Sequence, residues 1–256
     1  MAASLFDLAG RTALVTGSST GLGLAFARGL AAAGAAIVLN GRNETRLAAA
    51  AKSFERDGHK VRSIAFDVAD EAAVLRGFAA LDRDGVEIDI LVNNAGIQLR
   101  KPMLDITGDE WRRVIDTDVN AAFLVGREAA RRMIARGRGG KIINVGSLTS
   151  ETARATIAPY TTSKGAIRML TRAMTAEWAV HNIQANAIGP GYFATEMTQA
   201  LIDDAKFDAW LKARTPAGRW GRPEELIGAA VFLASRASDF VNGQILFVDG
   251  GLLAVM

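Results

Sequence analysis

Hydrophobic and polar positions follow two alternating rhythms along the chain. Short, β-branched apolar runs predict strands at residues 12–16, 36–40, 61–66, 88–93, 141–145, 183–188 and 245–248. Longer alanine-rich stretches with helical patterning fall between them, at 22–33, 44–57, 71–84, 108–136, 158–180 and 223–235. Strands that alternate with helices predict βαβ units and a parallel sheet. Most of the strands are apolar throughout, as expected when helices cover both faces. No repeat, low-complexity tract or Pro/Ser linker divides the chain, so residues 1–256 read as one domain. Residues 189–215 break the rhythm. They begin Gly-Pro-Gly, mix Phe, Met and Trp with acids, and read as a mobile helical lid with a hinge at its start.

Half of the 256 residues are hydrophobic and 22% are charged, which excludes a disordered chain. The length suffices for one large α/β core. Net charge is only +3, so the basic balance does not point to a nucleic-acid partner. Six basic residues lie between Arg127 and Lys141 against one acid, Glu128. They read as a solvated helix end, where cations suit the macrodipole, and they lack the interleaved aromatics of a nucleic-acid site. The absence of cysteine excludes disulfides, thiolate nucleophiles, Fe–S clusters and Cys-ligated zinc. His59 and His181 stand far apart, so no metal is expected. No leader-like N-terminus and no apolar span of 18 residues is visible, so a cytoplasmic protein without a membrane partner is expected.

Candidate chemistry gathers at strand ends. Thr16-Gly17-Ser18-Ser19-Thr20-Gly21-Leu22-Gly23 joins the first predicted strand to the first predicted helix. A glycine-rich turn of this kind brings backbone N–H groups and a helix N-terminus against a pyrophosphate; an ordinary tight turn is the plainer reading. Asn93-Asn94-Ala95-Gly96 closes the fourth strand, where amides can bridge neighbouring loops and glycine admits a ligand. Tyr160 and Lys164 are four apart, hence on one helix face. A phenol is a poor acid–base group at neutral pH, and a nearby ammonium favours its phenolate. Ser147 ends the fifth strand, placed to donate a hydrogen bond to a substrate oxygen.

In this order the motifs resemble the short-chain dehydrogenase/reductase superfamily, from about Leu8 to Gly251. The resemblance implies an α/β fold: a single-domain, Rossmann-type, doubly wound seven-stranded parallel sheet with helices on both faces. It implies NAD(P) across the C-terminal strand edge. Tyr160 would transfer the proton, Lys164 would hold the ribose and lower the phenol pKa, and Ser147 would position the carbonyl or hydroxyl. By the same match Gly17, Ser19, Thr20, Gly21, Leu22 and Gly23 meet the cofactor, as do Asn94, Ala95, Gly96, Pro190 and Gly191. Thr195 matches the contact to the nicotinamide carboxamide, and Asp67 with Val68 the adenine edge. The family's catalytic Asn falls on Asp118, counting back from Phe123. That role runs largely through a backbone carbonyl holding a water in a proton relay, which Asp118 preserves. A homotetramer is also implied, with the predicted helices 108–136 and 158–180 packed on symmetry mates.

An acid at the end of the second strand would bind the ribose hydroxyls of NAD and repel a 2′-phosphate. Gly41 stands there and Arg42 follows. NADP(H) is therefore the preferred cofactor and NAD(H) the second, with Ser18 or Asn40 as further phosphate contacts. A finer resemblance, to gluconate 5-dehydrogenases (5-ketogluconate reductases), rests on residues 93–98, on 147–151 with Arg154, on 183–197, on 214–235 and on the ending DGGLLAV. It implies an NADP(H)-dependent interconversion of a secondary alcohol and a ketone in a sugar acid. Such a substrate needs a cation for its carboxylate. Arg154, on the loop between Ser147 and Tyr160, suits it, with Gln98 and Arg100 as polar neighbours; solvated loop arginines are the plainer reading. A 3-oxoacyl or broad-carbonyl reductase of the same superfamily, or an idle dinucleotide-sensing scaffold, are the alternatives.

Overall fold

Residues 5–255 are described by the structure, a computed structural model. The chain runs β1 (Thr12–Val15), α1 (Gly21–Ala32), β2 (Ala36–Gly41), α2 (Glu44–Arg56), β3 (Val61–Ala65), α3 (Glu71–Arg83), β4 (Ile90–Asn93), α4 (Gly108–Ile115), α5 (Ala121–Ala135), β5 (Gly140–Val145), α6 (Ala158–Trp178), β6 (Ile183–Pro190), α7 (Gln199–Ile202), α8 (Ala205–Arg214), α9 (Ile227–Ala234) and β7 (Ile245–Val248). The strands form one parallel sheet in the order β3-β2-β1-β4-β5-β6-β7. Winding reverses between β1 and β4, and such a reversal opens a crevice at the C-terminal strand ends. All the motif loops named above lie at that edge.

Each face of the sheet carries its own apolar layer. Phe26 and Leu30 of α1, Phe54 of α2 and Leu233 of α9 pack on one side. Phe78 and Leu81 of α3, Met133 of α5 and Met174 of α6 pack on the other. Helix starts are set by capping side chains. Asn43 accepts from the Arg46 N–H, Asp70 from the Ala73 N–H, and Thr107 with Glu110 forms a capping box on α4.

Three expectations need correction. The stretch 108–136 is helical but not α throughout, because Asp116–Asn120 widens to a π turn between α4 and α5, with Asp118 inside it. Gly189 and Pro190 belong to β6 and pair with Phe247 and Val248, so the Gly-Pro-Gly segment is a strand end and not a hinge. A side chain on Gly189 would collide with the Phe247 ring, and close packing explains the glycine there. The basic stretch is not a solvated helix end. Buried Glu128 draws in Arg127, Arg131 and Arg132, and Lys141 is buried in β5 with Nζ 2.8 Å from Asp239. No helix among the described residues is long and apolar enough to cross a membrane.

Candidate active site

The loops after β1, β4, β5 and β6 wall a cleft of about 660 Å³. Gly17 and Ser19 to Gly23, Asn94 to Gly96, Ser147, Tyr160, Lys164, Pro190, Gly191 and Thr195 all line it. Thr16 Oγ1 accepts from the Asn94 and Ala95 N–H groups at 3.0 Å each. Asn94 Nδ2 donates back to the carbonyls of Thr16 (2.9 Å) and Gly17 (3.1 Å). A side chain on Gly23 would collide with that amide, and one on Gly17 would come within 2.9 Å of Ala95 Cα. These two glycines let the turn nest on the loop after β4. Gly21 serves differently: its φ is +58° and a Cβ there would meet nothing within 4 Å. Thr20, at the N-cap of α1, makes no side-chain cap, and the first turn carries no acid. The helix therefore presents bare N–H groups and its positive dipole end to the cleft, a fit for the pyrophosphate of a dinucleotide.

Two ties hold the end of β5 to α6. Lys164 Nζ donates to the Val145 carbonyl at 2.9 Å, and Ser150 Oγ donates to the Lys164 carbonyl at 2.8 Å while accepting from the Ser147 N–H. Lys164 Nζ lies 5.3 Å from the centre of the Tyr160 ring. Ser147 Oγ accepts from the Thr149 N–H at 3.2 Å, which leaves its own hydrogen for a ligand. Asp118 lies outside the cleft wall, its side chain buried behind these residues. Oδ1 accepts from the Ile97 N–H at 2.8 Å, Oδ2 accepts from the Ser163 hydroxyl at 3.1 Å, and Oδ2 is 3.9 Å from Lys164 Nζ. Burial pushes this carboxyl above the ordinary carboxylate range, against the pull of Lys164 and both hydrogen bonds. The sequence reading credited Asp118 with a backbone carbonyl alone; its side chain also bolts the loop after β4 to α6.

At the other end of the cleft β2 stops at Gly41, beside Ser19 Oγ. Arg42 lines this end and pairs with Asp67 at 3.5 Å. Such an exposed pair is worth about 0–1 kcal/mol and yields to a ligand anion. Arg46, which the sequence reading missed, lines it too and has no carboxylate partner among the described residues. Its place four residues after Arg42 was the available signal. Ser18 does not reach the cleft: it is 0% exposed, and its Oγ accepts from the Asn40 N–H at 3.0 Å, locking the turn to β2. Asn40 lines the wall, with Nδ2 bonded to the Ile64 and Phe66 carbonyls and Oδ1 buried without a partner. Asp67 and Val68 line the wall as well.

Gln98, Arg100 and Arg154 stand outside the cleft wall but close together. The Lys101 N–H donates to the Thr156 carbonyl at 2.8 Å, joining the loop after β4 to the loop before α6. Arg100 donates to Gln98 Oε1 at 3.0 Å. Burial, and next the charge of Arg154, pull the Arg100 guanidinium below its ordinary value. Neither arginine has a carboxylate partner among the described residues. Arg154 lies over Phe207 of α8, 5.2 Å from the ring centre. Of the lid's apolar side chains, Phe193 and Met197 line the cleft, Phe193 as a buried anchor packed against Gly221 and Met197 exposed; Trp210 is exposed outside the cleft wall.

A family model described as "Enoyl-(Acyl carrier protein) reductase" matches residues 17–253. The chain is 56% identical over 248 residues to a gluconate 5-dehydrogenase of Gluconobacter oxydans (strain 621H), covering 97% of this chain and 96% of that one. It is 49% identical over 252 residues to a 5-keto-D-gluconate 5-reductase of Escherichia coli (strain K12), covering 98% and 99%. A crystal structure of a gluconate 5-dehydrogenase from Burkholderia cenocepacia J2315, in complex with NADP and tartrate, superposes with a TM-score of 0.96 at 55% identity, covering 98% of each chain. A doubly wound sheet, a glycine turn nested on Asn94, Ser147, Tyr160 and Lys164 at one cleft, and these likenesses across nearly the whole length lead to one conclusion: the chain belongs to the short-chain dehydrogenase/reductase family, oxidoreductases acting on CH–OH groups.

Proposed function

We propose that this protein is an NADP(H)-dependent oxidoreductase that interconverts gluconate and 5-ketogluconate. The observation that carries the chemistry is the convergence of Ser147, Tyr160 and Lys164 on the cleft that α1 enters with an uncapped N-terminus. The substrate class is supported by the relatives' names and by two neighbouring arginines, Arg100 and Arg154, that lack carboxylate partners.

In reduction, the substrate carbonyl oxygen accepts a hydrogen bond from the Ser147 hydroxyl and takes one proton, from the Tyr160 phenol, as charge develops on it. In oxidation, the phenolate takes that proton back. Lys164, fixed by Val145, sets a positive charge beside the phenolate form. NADP(H), when bound, supplies or accepts the hydride. Gly17 and Ser19 to Gly23 would hold its pyrophosphate, Asp67 and Val68 its adenine, and Arg42 with Arg46 its 2′-phosphate. Asn94 to Gly96, Pro190, Gly191 and Thr195 hold the nicotinamide half. Arg154, with Arg100 and Gln98, receives the substrate carboxylate, and the segment that carries α7 and α8 covers the site and excludes water. The assembly is a homotetramer, built on exposed apolar side chains of α5 (Phe123) and α6 (Met169).

The purified protein should oxidise NADPH with 5-ketogluconate at a kcat/KM at least tenfold above that with acetoacetyl thioesters. The opposite ranking would assign it to 3-oxoacyl reduction.

A further inference from the structure

Phe207 occupies a position that proton and hydride transfer do not explain. It projects from α8 into a ring cluster, with ring centres 5.5 Å from Tyr192, 5.2 Å from Trp210 and 6.3 Å from Trp220. Trp220 is itself tethered, its Nε1 donating to Asp208 Oδ1 at 2.8 Å. Asp208 is the acid next to Phe207 in sequence, yet it pairs with Lys212 at 2.7 Å, not with Arg154. Arg154 instead rests over the Phe207 ring. An aromatic face attracts a guanidinium without neutralising it. A guanidinium lying over a ring keeps in-plane N–H donors for a bidentate carboxylate. A carboxylate partner in the lid would have occupied those donors. The braced ring lies under the cation and leaves it without a carboxylate partner among the described residues.

We propose that Phe207 is a positioning residue that holds Arg154 ready for the carboxylate of the sugar acid, so that packing of the lid helix and recognition of substrate charge are one event. This rests on the reading of Arg154 as the carboxylate receptor.

Four variants test it: Phe207→Leu, Phe207→Tyr, Arg154→Ala and the Arg154→Ala/Phe207→Leu pair. Each is assayed with 5-ketogluconate and with its methyl ester, which lacks the charge, and each fold is checked by circular dichroism and thermal midpoint. Phe207→Leu should raise KM for the acid roughly fivefold, with kcat within about twofold and the ester unaffected. Phe207→Tyr, which restores a π face, should behave as the parent. With Arg154 already removed, Phe207→Leu should cost nothing more, since contacting residues do not act additively. Equal losses on acid and ester in Phe207→Leu, or costs that add in the double variant, would overturn the proposal. The Arg154 reading would survive that result if Arg154→Ala alone still separates acid from ester. An Arg154→Ala enzyme that treats the two alike would overturn both.

Discussion

At Asp118 a carboxylate stands where hydrogen bonds alone need only an acceptor. An Asn could satisfy both partners: its amide oxygen accepts from the Ile97 N–H, and its N–H₂ donates to the Ser163 hydroxyl, whose own hydrogen then goes to the Tyr160 carbonyl at 2.8 Å. What an Asn would remove is the negative charge 3.9 Å from Lys164 Nζ. That charge opposes the field with which Lys164 supports a phenolate at Tyr160. Asp118→Asn should therefore fold, keep kcat within about tenfold, and move the acid limb of alcohol oxidation to lower pH, as read from kcat between pH 5 and 9. The sign follows from the charge: while Asp118 is ionised it offsets Lys164, and the variant lacks that offset. As pH falls through the raised value of the Asp118 carboxyl the parent is neutralised too, so the two profiles converge. Tyr160→Phe should lose about 10²–10⁴-fold in kcat while NADPH still binds, measured by turnover and by fluorescence titration. Ser147, Tyr160 and Lys164 were legible in the sequence because one short stretch carries all three at set spacings. The Asp118 side chain was not, because its partners lie 21 and 45 residues away and meet it only when α6 packs on the π turn.

Among elements, the strands and the helices before residue 108 were readable because apolar run and helical pattern change at Gly, Asn and Asp boundaries. The π turn at Asp116–Asn120 was not, since it spans only five residues, too short a run for a change of helical period to show. Pro190 misled for a different reason. A strand tolerates proline where its missing N–H is not needed, and the Gly191 N–H carries the next bond, to Val248. The end of β2 and the start of α2 decide the cofactor. Arg42→Ala and Arg46→Ala should each raise KM for NADPH roughly tenfold with little change for NADH, the order of a charged hydrogen bond at an open site. Equal effects on both cofactors, in steady-state kinetics, would remove these arginines from the phosphate. Asn94→Ala acts on an element rather than a contact. It frees the glycine turn from the loop after β4 and should weaken both cofactors alike, by equilibrium titration.

At the scale of the whole molecule, light scattering at micromolar concentration should give four times the 27.1 kDa chain mass, and a monomer would refute the assembly. Charged substitutions at Phe123 and Met169 should lower that mass together with activity. One further property follows from the seam where Gly189 and Pro190 pair with β7, and from the Thr198 hydroxyl, which donates to the Phe193 carbonyl at 2.6 Å. The segment bearing α7 and α8 springs from a rigid root, while the acid–base residues belong to β5 and α6. We expect substrate choice to drift in evolution with residues 199–214 while proton transfer stays in place, provided that Leu211 keeps its packing on Leu148 beside Ser147. A chimera carrying that segment from a family member with another substrate should keep its NADPH affinity within about twofold and change the acid it prefers. The incoming segment must supply its own ring for Arg154, so the heredity of the two positions is coupled.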